Sequence, residues 1–471
     1  MGGFSSSNIE YVATLLNDSP GVGGRVHVMP NNDRRFYVSS VQGVRIYDIN
    51  DPALPILIGA LEIANWENED VSVSRDGKTV LMSEFTGTAY TYVFQVSDPV
   101  GPLGNVTISI ADALPLSASH IVDCIDDKCD YFYGAEGQIW DARNKTDVKQ
   151  LSRGWDVQAN EQTGQNIPFG SGHNLEVVGD YDLDGNPDTP LQRVAISDTT
   201  PMVMMDVTDP VNPIVITTSL TEDHGSNKTA YQHNNKVLNF ESYVPRAADD
   251  QYVPFDEATP GSGLRTGELL IGNGETNFRP QCGGGSGPLT SWSATNWEKG
   301  EQFRVLKTFR PVNGTYDGPD GSGGDPAVNA IGCSGHWFDV RPDDADATDT
   351  IVAAAWYEHG TRVIRVDGQT GDFEQLGFFQ PVAGSASAAH WIVDESGIFI
   401  YTVDYLSGVD IMRYNPEAPL ESPQTFDSSW FVADPAVTRF SEQQRTLCRI
   451  AFQSATPSVP AAVATTAVLN N

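Results

Sequence analysis

The chain is short of positive charge. Its 471 residues carry 28 lysines and arginines against 62 aspartates and glutamates, a formal net charge of −34. A surface this acidic repels phosphate backbones and anionic lipid, which argues against nucleic acid as a partner, and it favours solubility and the accumulation of cations. No apolar run is long enough to span a bilayer. Long amphipathic helical patterns are missing, which leaves an all-β chain. No C-x-x-C occurs, so a zinc ribbon or a thioredoxin-like motif is unsupported. There is no G-x-S-x-G elbow, no H-E-x-x-H helix and no P-loop. The opening MGGFSSSN has neither the charged nor the apolar region of a secretion leader, and the expectation is that a leader has been removed.

What the chain does have is a repeated phrase. A histidine stands at a short strand, a second strand follows, a third ends in Asp, and D-P-x-x-P leads into a fourth. The clearest copy runs from His27 through FYVSS and VRIYDI to NDPALPILIGALEI. Others begin at His120, at His173 (GHNLEVV, VAISD, MVMMDVTDPVNPIVI), at His336 (GHWFDVRP) and at His390 (AHWIVDESG). Four short strands recurring every few tens of residues are the signature of a β-propeller. The high content of Gly (44) and Pro (29) suits its many turns.

Seven such units occupy residues 1–416, which predicts a seven-bladed propeller. NIEYVATLL has no inner strands before it, and the last blade reads as three strands ending at MRYN. Pairing the two would close the ring and remove its exposed edges. Blade five, 230–310, is the most irregular and is expected to carry an insertion over 273–297. Residues 417–471 lose the repeat and read as a C-terminal extension with an Ala/Thr/Pro-rich tail.

Cys124 and Cys129 flank IDDK, a spacing that suits a disulfide across a tight hairpin. Cys282, in a Gly-rich loop, and Cys333 form a second candidate pair, and Cys448 is left over. Disulfides would place the protein in an oxidising compartment, extracellular or at the cell envelope; five free thiols in a reducing one is the alternative. The segment GDYDLDGNPDTP sets Asp180, Asp182, Asp184, Asn186 and Asp188 on alternate positions around Gly185. Oxygen ligands so spaced wrap a calcium ion, as in the first part of an EF-hand loop, although the late bidentate Glu is missing. The competing reading is an Asx-rich turn with no ion.

His27, His120, His173, His233, His336 and His390 each stand at or near the start of an expected innermost strand. In blade two Glu69 and Asp70 hold the equivalent place. Innermost strands line a propeller's channel, so six imidazoles and the Asp70 carboxylate would converge on one mouth. Such a set could hold copper, iron or zinc. By analogy of geometry alone it resembles the histidine-lined channels of nitrous oxide reductase, carotenoid-cleaving oxygenases and selenium-binding proteins. The Ser-Gly-His phrases at 171–173 and 334–336 equally resemble the Gly-His of WD repeats, where the ring only orders a turn. A bound anion or sugar is a third reading. His224 and His359 fall outside the register.

Glu67, Glu84, Glu136 and Glu275 also lie near the expected mouth, but nothing pairs them as a glycosidase would require. Phe278, Trp292, Trp297 and Trp337 could stack on a ligand or simply fill the spaces between blades. Five N-x-S/T sequons, at Asn17, Asn105, Asn144, Asn227 and Asn313, are near chance for this composition.

The phrases VRIYDINDPALPILIG, MVMMDVTDPVNPIVI, WYEHGTRVIRVD and YTVDYLSGVDIMRY resemble the LVIVD-repeat β-propellers of bacterial and archaeal extracellular proteins. The likeness spans residues 8–416 and implies the fold in order of repeats. It implies little about activity, because that family is largely without one. Blade three lacks D-P-x-x-P and blade five is expanded, so loop chemistry does not transfer. The expectation is an extracellular, calcium-stabilised binding or surface scaffold with a histidine-lined channel. A small molecule, glycan or protein would bind at the channel-mouth face. The alternative is a copper, iron or zinc enzyme, most plausibly an oxidoreductase.

Overall fold

The computed structural model describes residues 2–15, 21–63, 68–84, 90–102, 104–115, 121–134, 137–153, 173–183, 188–199, 201–220, 223, 231–238, 269–275, 282, 286–294, 296–311, 332–342, 349–368, 370–381, 384–418 and 424–427. His120, His224, Asp184, Asn186, Glu67, Glu136, Phe278 and Cys448 lie outside the described residues, as does nearly all of the expected tail. Two compact units divide at residue 431, and only the first contains described residues.

Alternation along the strands decides where the core lies. In the strand Arg34–Ser40, Phe36 and Val38 turn to one side and Tyr37 to the other, and all three are fully buried. Both faces of each blade are therefore covered, each by a neighbouring blade. The buried apolar residues fall into seven clusters, one for each adjacent pair of blades. The set is complete only because blade seven packs on blade one, through Ile392, Phe399 and Val403 against Phe36, Val38 and Tyr47.

The blades are seven antiparallel sheets. Their first strands are Gly21–Val28, Ser72–Val73, Val122–Cys124, Leu175–Tyr181, Tyr231–Leu238, Phe338–Val340 and Ala386–Asp394. From blade six through seven and one to blade five, these first strands lie side by side, so they line the channel. Ring closure follows the expected route. Ile9–Leu15 pairs with Gly408–Tyr414 as the outer strand of blade seven, in register from Ile9 opposite Tyr414 to Leu15 opposite Val409. The sequence did not suggest a second clasp: Gly2–Ser5 pairs with Phe373–Pro381 of blade six, and Gln424–Asp427 adds beyond it. One residue of that late repeatless segment thus belongs to the same sheet as the chain's beginning, and so do its three neighbours.

The D-P-x-x-P phrase has a physical role. Asp51 Oδ1 accepts the Ala53 amide at 3.0 Å and Asp209 Oδ1 that of Val211 at 3.0 Å, each fixing a turn before the outer strand. The Pro carbonyl of each turn takes a tyrosine hydroxyl from the preceding blade: Tyr401 to Pro52 and Tyr133 to Pro210, both 2.6 Å. The phrase therefore joins blades as well as turning the chain.

Blade five corrects one expectation. Of the described residues in 273–297, the first three end the second strand, Leu269–Glu275, the third strand is Leu289–Ser293, and a 3₁₀ turn begins at Trp297. Gly- and Trp-rich text reads as a loop, yet Trp292 and Trp297 are buried and fill the space against blade four. Cys124 is bonded to Cys129, and Cys282 to Cys333.

Candidate metal centre in the central channel

Three of the histidines meet one carboxylate. His173 and His336 stand two residues before their strands, and His233 is third in its own. Asp198 Oδ1 accepts the amides of His173 (2.9 Å) and Asn174 (2.5 Å), which sets the entry of blade four. Asn273 Nδ2 donates to the His336 carbonyl at 2.8 Å. A side chain at Gly335 would strike Asn273 Oδ1 at 1.9 Å, so the Gly of Ser-Gly-His is required by this close approach. Glu69 reaches the group from blade two. Its neighbour Asn68 donates to the Ser83 carbonyl (3.0 Å) and accepts on its own carbonyl from Ser39 Oγ (2.6 Å). Gly23 of blade one leaves room for the Glu69 backbone, which a Cβ there would meet at 1.9 Å.

Glu69 Oε2 lies 3.2 Å from His173 Nε2 and 3.0 Å from His233 Nε2, and Oε1 lies 3.2 Å from His336 Nε2. The imidazole centroids are 3.7 Å apart between His173 and His233 and 4.1 Å between His233 and His336. All four residues are buried. A second carboxylate, Glu275 at the end of its strand, stands 3.8 Å from His233 Nε2. Tyr357 Oη donates to Glu275 Oε1, and Tyr405 Oη donates to Glu69 Oε1 at 3.4 Å. Tyr357 holds φ +42°, a left-handed conformation that is costly for a bulky side chain. Paired backbone bonds to Ala386 (3.0 and 2.8 Å) pin it there, with its ring 4.7 Å from that of His336.

Proton bookkeeping shows what this cluster needs. His336 Nδ1 is 2.6 Å from the Ser387 carbonyl, which only accepts, so Nδ1 carries the proton. Its Nε2 then either bears a second proton or points a lone pair at a carboxylate. Burial opposes the charged form of His336, but Glu69 and the other acid nearby outweigh that and raise its pKa. Burial is the largest influence on His233 and, with His173 and His336 beside it, pushes its pKa well down. Burial alone would raise Glu69, yet the three imidazoles hold it well below the usual carboxylate range. The site is thus an anion surrounded by imidazoles too close together for all of them to be cations.

A metal ion could meet that need. An ion about 2.1 Å from each donor puts neighbouring donors about 3.0 to 3.4 Å apart, between right-angled and tetrahedral arrangement. The Glu69-to-imidazole separations of 3.0–3.2 Å fall in that interval. The donor atoms of Glu69, His173 and His233 lie within 4.8 Å of one another, as do those of His233, Glu275 and His336. Three imidazoles with a carboxylate suit copper, iron or zinc.

No family model matches the chain, and no curated protein does. Among solved structures, the β-propeller domain of Cps50 (Swd1) from Myceliophteria thermophila is similar. It shares 12% identity over 86% of this chain and 100% of that one, with a TM-score of 0.46. The chain is a seven-bladed β-propeller. Its seven sheets and seven inter-blade clusters show this.

The other expected ligands stand elsewhere. His27 is seventh of eight residues in its strand, with Nε2 3.1 Å from the Arg75 carbonyl. His390 is fifth of nine in its strand, edge-on to Phe36 at 5.6 Å. Asp70 turns from the cluster to Arg25, 3.4 Å away. Of the proposed calcium ligands, Asp180 is paired with Arg193 at 2.9 Å, and Asp182 and Asp188 flank the two that lie outside the described residues.

Sequence reading missed Tyr357, Tyr405 and a second layer of charge. Glu176, Lys236 and Asp339 follow His173, His233 and His336 by three residues, and Arg25, Asp70, Asp123 and His390 complete the layer from the other blades. Arg25 lies 3.3 Å from Asp123, Lys236 is paired with Glu176, and Asp339 Oδ2 accepts the Trp391 amide at 3.1 Å. The fixed offset of three was the readable signal. Applied to blade seven it puts Ser387, not His390, in the place of the cluster histidines.

Proposed function

We propose that the protein is a metal-dependent enzyme built on an extracellular propeller of the LVIVD-repeat kind. One copper, iron or zinc ion would be held by His173, His233, His336 and Glu69. Oxidation–reduction of a small substrate at the channel mouth is the reaction class. The observation that carries this reading is the Glu69 carboxylate facing three Nε2 atoms from three blades, one of them on a ring whose Nδ1 proton is committed to Ser387. A histidine that merely ordered its own turn would bond within its blade, the same way each time. These bond across blades and unequally.

When bound, the metal would supply Lewis acidity or a change of oxidation state to a substrate. The chain's residues do the rest. Glu69 neutralises charge, Tyr405 steadies Glu69, and Glu275 accepts the hydrogen bond of the Tyr357 hydroxyl. Burial first, and then Glu275, keeps the Tyr357 hydroxyl protonated by raising its pKa well above the ordinary value. A calcium ion on the 180–188 loop would fix the hairpin of blade four, away from the chemistry.

The test is elemental analysis of protein purified without chelators or a nickel column. One equivalent of copper, iron or zinc, absent from a folded His233→Ala/His336→Ala variant, supports the enzyme. Calcium alone, or no metal, makes the cluster a protonated knot between blades. The protein is then a binding scaffold for a small molecule, glycan or protein.

A further inference from the structure

Three more donors converge in the wall between blades five and six. Cys282, Cys333 and His359 each offer one donor atom, and these lie within 4.8 Å of one another. The residues are 5%, 0% and 0% exposed. The two sulfurs are joined in the disulfide that ties the 282 loop to the entry of blade six. Leu269, Ile271, Leu306 and Trp356 pack around them. His359 belongs to the same turn as Tyr357, and the neighbouring Glu358 Oε2 accepts the Gly332 amide beside Cys333 at 2.5 Å. The turn and the disulfide therefore hold one another in place.

We propose that Cys282, Cys333 and His359 are a second metal site, opened by reduction of the disulfide, for a soft divalent ion of the zinc and cadmium class. Two electrons and two protons from a dithiol, itself oxidised to a disulfide, convert the S–S bond to two thiols. The ion then displaces the two thiol protons and takes the lone pair of neutral His359 as its third protein ligand. Thiolate and imidazole donors select for this class over calcium or magnesium.

Charge explains why metal and reduction belong together here. Two bare thiolates in an apolar wall would be strongly disfavoured, so the reduced, metal-free pair stays protonated. Two thiolates with a divalent ion sum to zero, and a neutral complex is tolerated where an ion is not. Uptake is coupled to the release of two protons and falls at low pH. None of these donors belongs to the channel cluster, so the site stands whether or not that cluster binds metal.

The experiment uses the full chain carrying Cys124→Ser, Cys129→Ser and Cys448→Ser, so that one disulfide and no other thiol remains. It is reduced with a phosphine, freed of reductant without oxygen, and titrated with cadmium. The expected result is a cadmium–thiolate absorption band that saturates at one equivalent and is absent from the oxidised protein. His359→Ala should weaken binding about tenfold or more, at least what the loss of a supporting bond to a ligand costs. A reduced protein with two assayable thiols and no band overturns the proposal, as does unfolding on reduction or an unchanged affinity in His359→Ala. Should that variant not fold, cadmium NMR of the parent decides. A shift for two sulfurs with nitrogen supports the site, and one for sulfur with oxygen alone overturns it. The channel centre has only nitrogen and oxygen donors and adds nothing to the thiolate band.

Discussion

Two layers of the same channel, three residues apart along the chain in blades four, five and six, handle charge in different ways. In the layer of Arg25, Asp70, Asp123, Glu176, Lys236, Asp339 and His390, the acids have permanent cations beside them: Arg25 for Asp70 and Asp123, Lys236 for Glu176. In the layer of Glu69, His173, His233 and His336, the carboxylate faces imidazoles, which are cations only on protonation. The first layer carries cations of its own, two of them shared among four carboxylates, and burial first of all pushes Asp70 up to about 6. The second is complete only when a proton or a metal ion joins it. The difference is that the second layer has no permanent cation among its described residues, which is what suits it to an ion from outside the chain.

The largest test of this contrast removes the donors. His233→Ala/His336→Ala should lower affinity for the channel metal by about a hundredfold or more. In the wild type, metal at a hundred times its Kd should add about 2.7 kcal/mol of stability, and the variant should lose that gain. Calorimetric titration and thermal melts with and without metal measure both.

The converse substitution breaks the other layer. Arg25→Met leaves Asp70 and Asp123 without their cation. Stripping one partner from a buried pair costs about 3–5 kcal/mol, but Arg25 is one-third exposed, so about 2 kcal/mol is expected after allowance for solvent screening. Metal stoichiometry should not change. A variant that lost metal as well would show that the layers are one unit, and the contrast would be wrong.

A further buried acid, in blade seven, has neither kind of partner among the described residues. Asp410 lies beside Asp404 in blade seven and accepts hydroxyls from Thr14 and Ser407. Burial first, then Asp404, pushes its pKa up to about 7. An acid raised in the folded state keeps its proton there while the unfolded chain has lost it, so its contribution is complete at pH 4 and lost as pH rises through 7. Asp410→Asn should therefore match the wild type near pH 4 and exceed it by about 1 kcal/mol at pH 8, since the pair shares its titration. Urea melts at the two pH values decide. A gain confined to acid pH would contradict the assignment.

The smallest effect sharpens the role of the second carboxylate. Tyr357→Phe removes the hydroxyl on Glu275 while keeping the ring beside His336. A cost of about 1 kcal/mol in stability is expected for one hydrogen bond, with metal stoichiometry kept. Tyr357→Gly, which suits φ +42° but has no ring, should lose more.

Much of this was legible in the chain. Strand alternation, the D-P-x-x-P turns and the orphan strand at Ile9 were enough for seven blades and their closure, because each unit repeats one local hydrophobic period. His173, His233 and His336 were legible as candidates for the same reason. His27 and His390 look alike in sequence but sit further along their strands. Reading the preceding Gly21–Val28 and Ala386–Asp394 pairings needs the partner strand. The strand of His233 is bulged at His233 itself, whereas the matching bulges fall at Val22 and Ser387, five residues before His27 and three before His390.

What the amino-acid sequence determined by itself was the repeat, and with it the period, the turns and the residue types that could face a channel. Those are properties of neighbours along the chain. Only the tertiary structure decided that Glu69 rather than Asp70 faces the imidazoles, that Glu275 and Tyr357 join them from second-strand ends, and that His359 meets a disulfide. Each of these contacts links different blades or distant turns, and closure of the ring sets their distances.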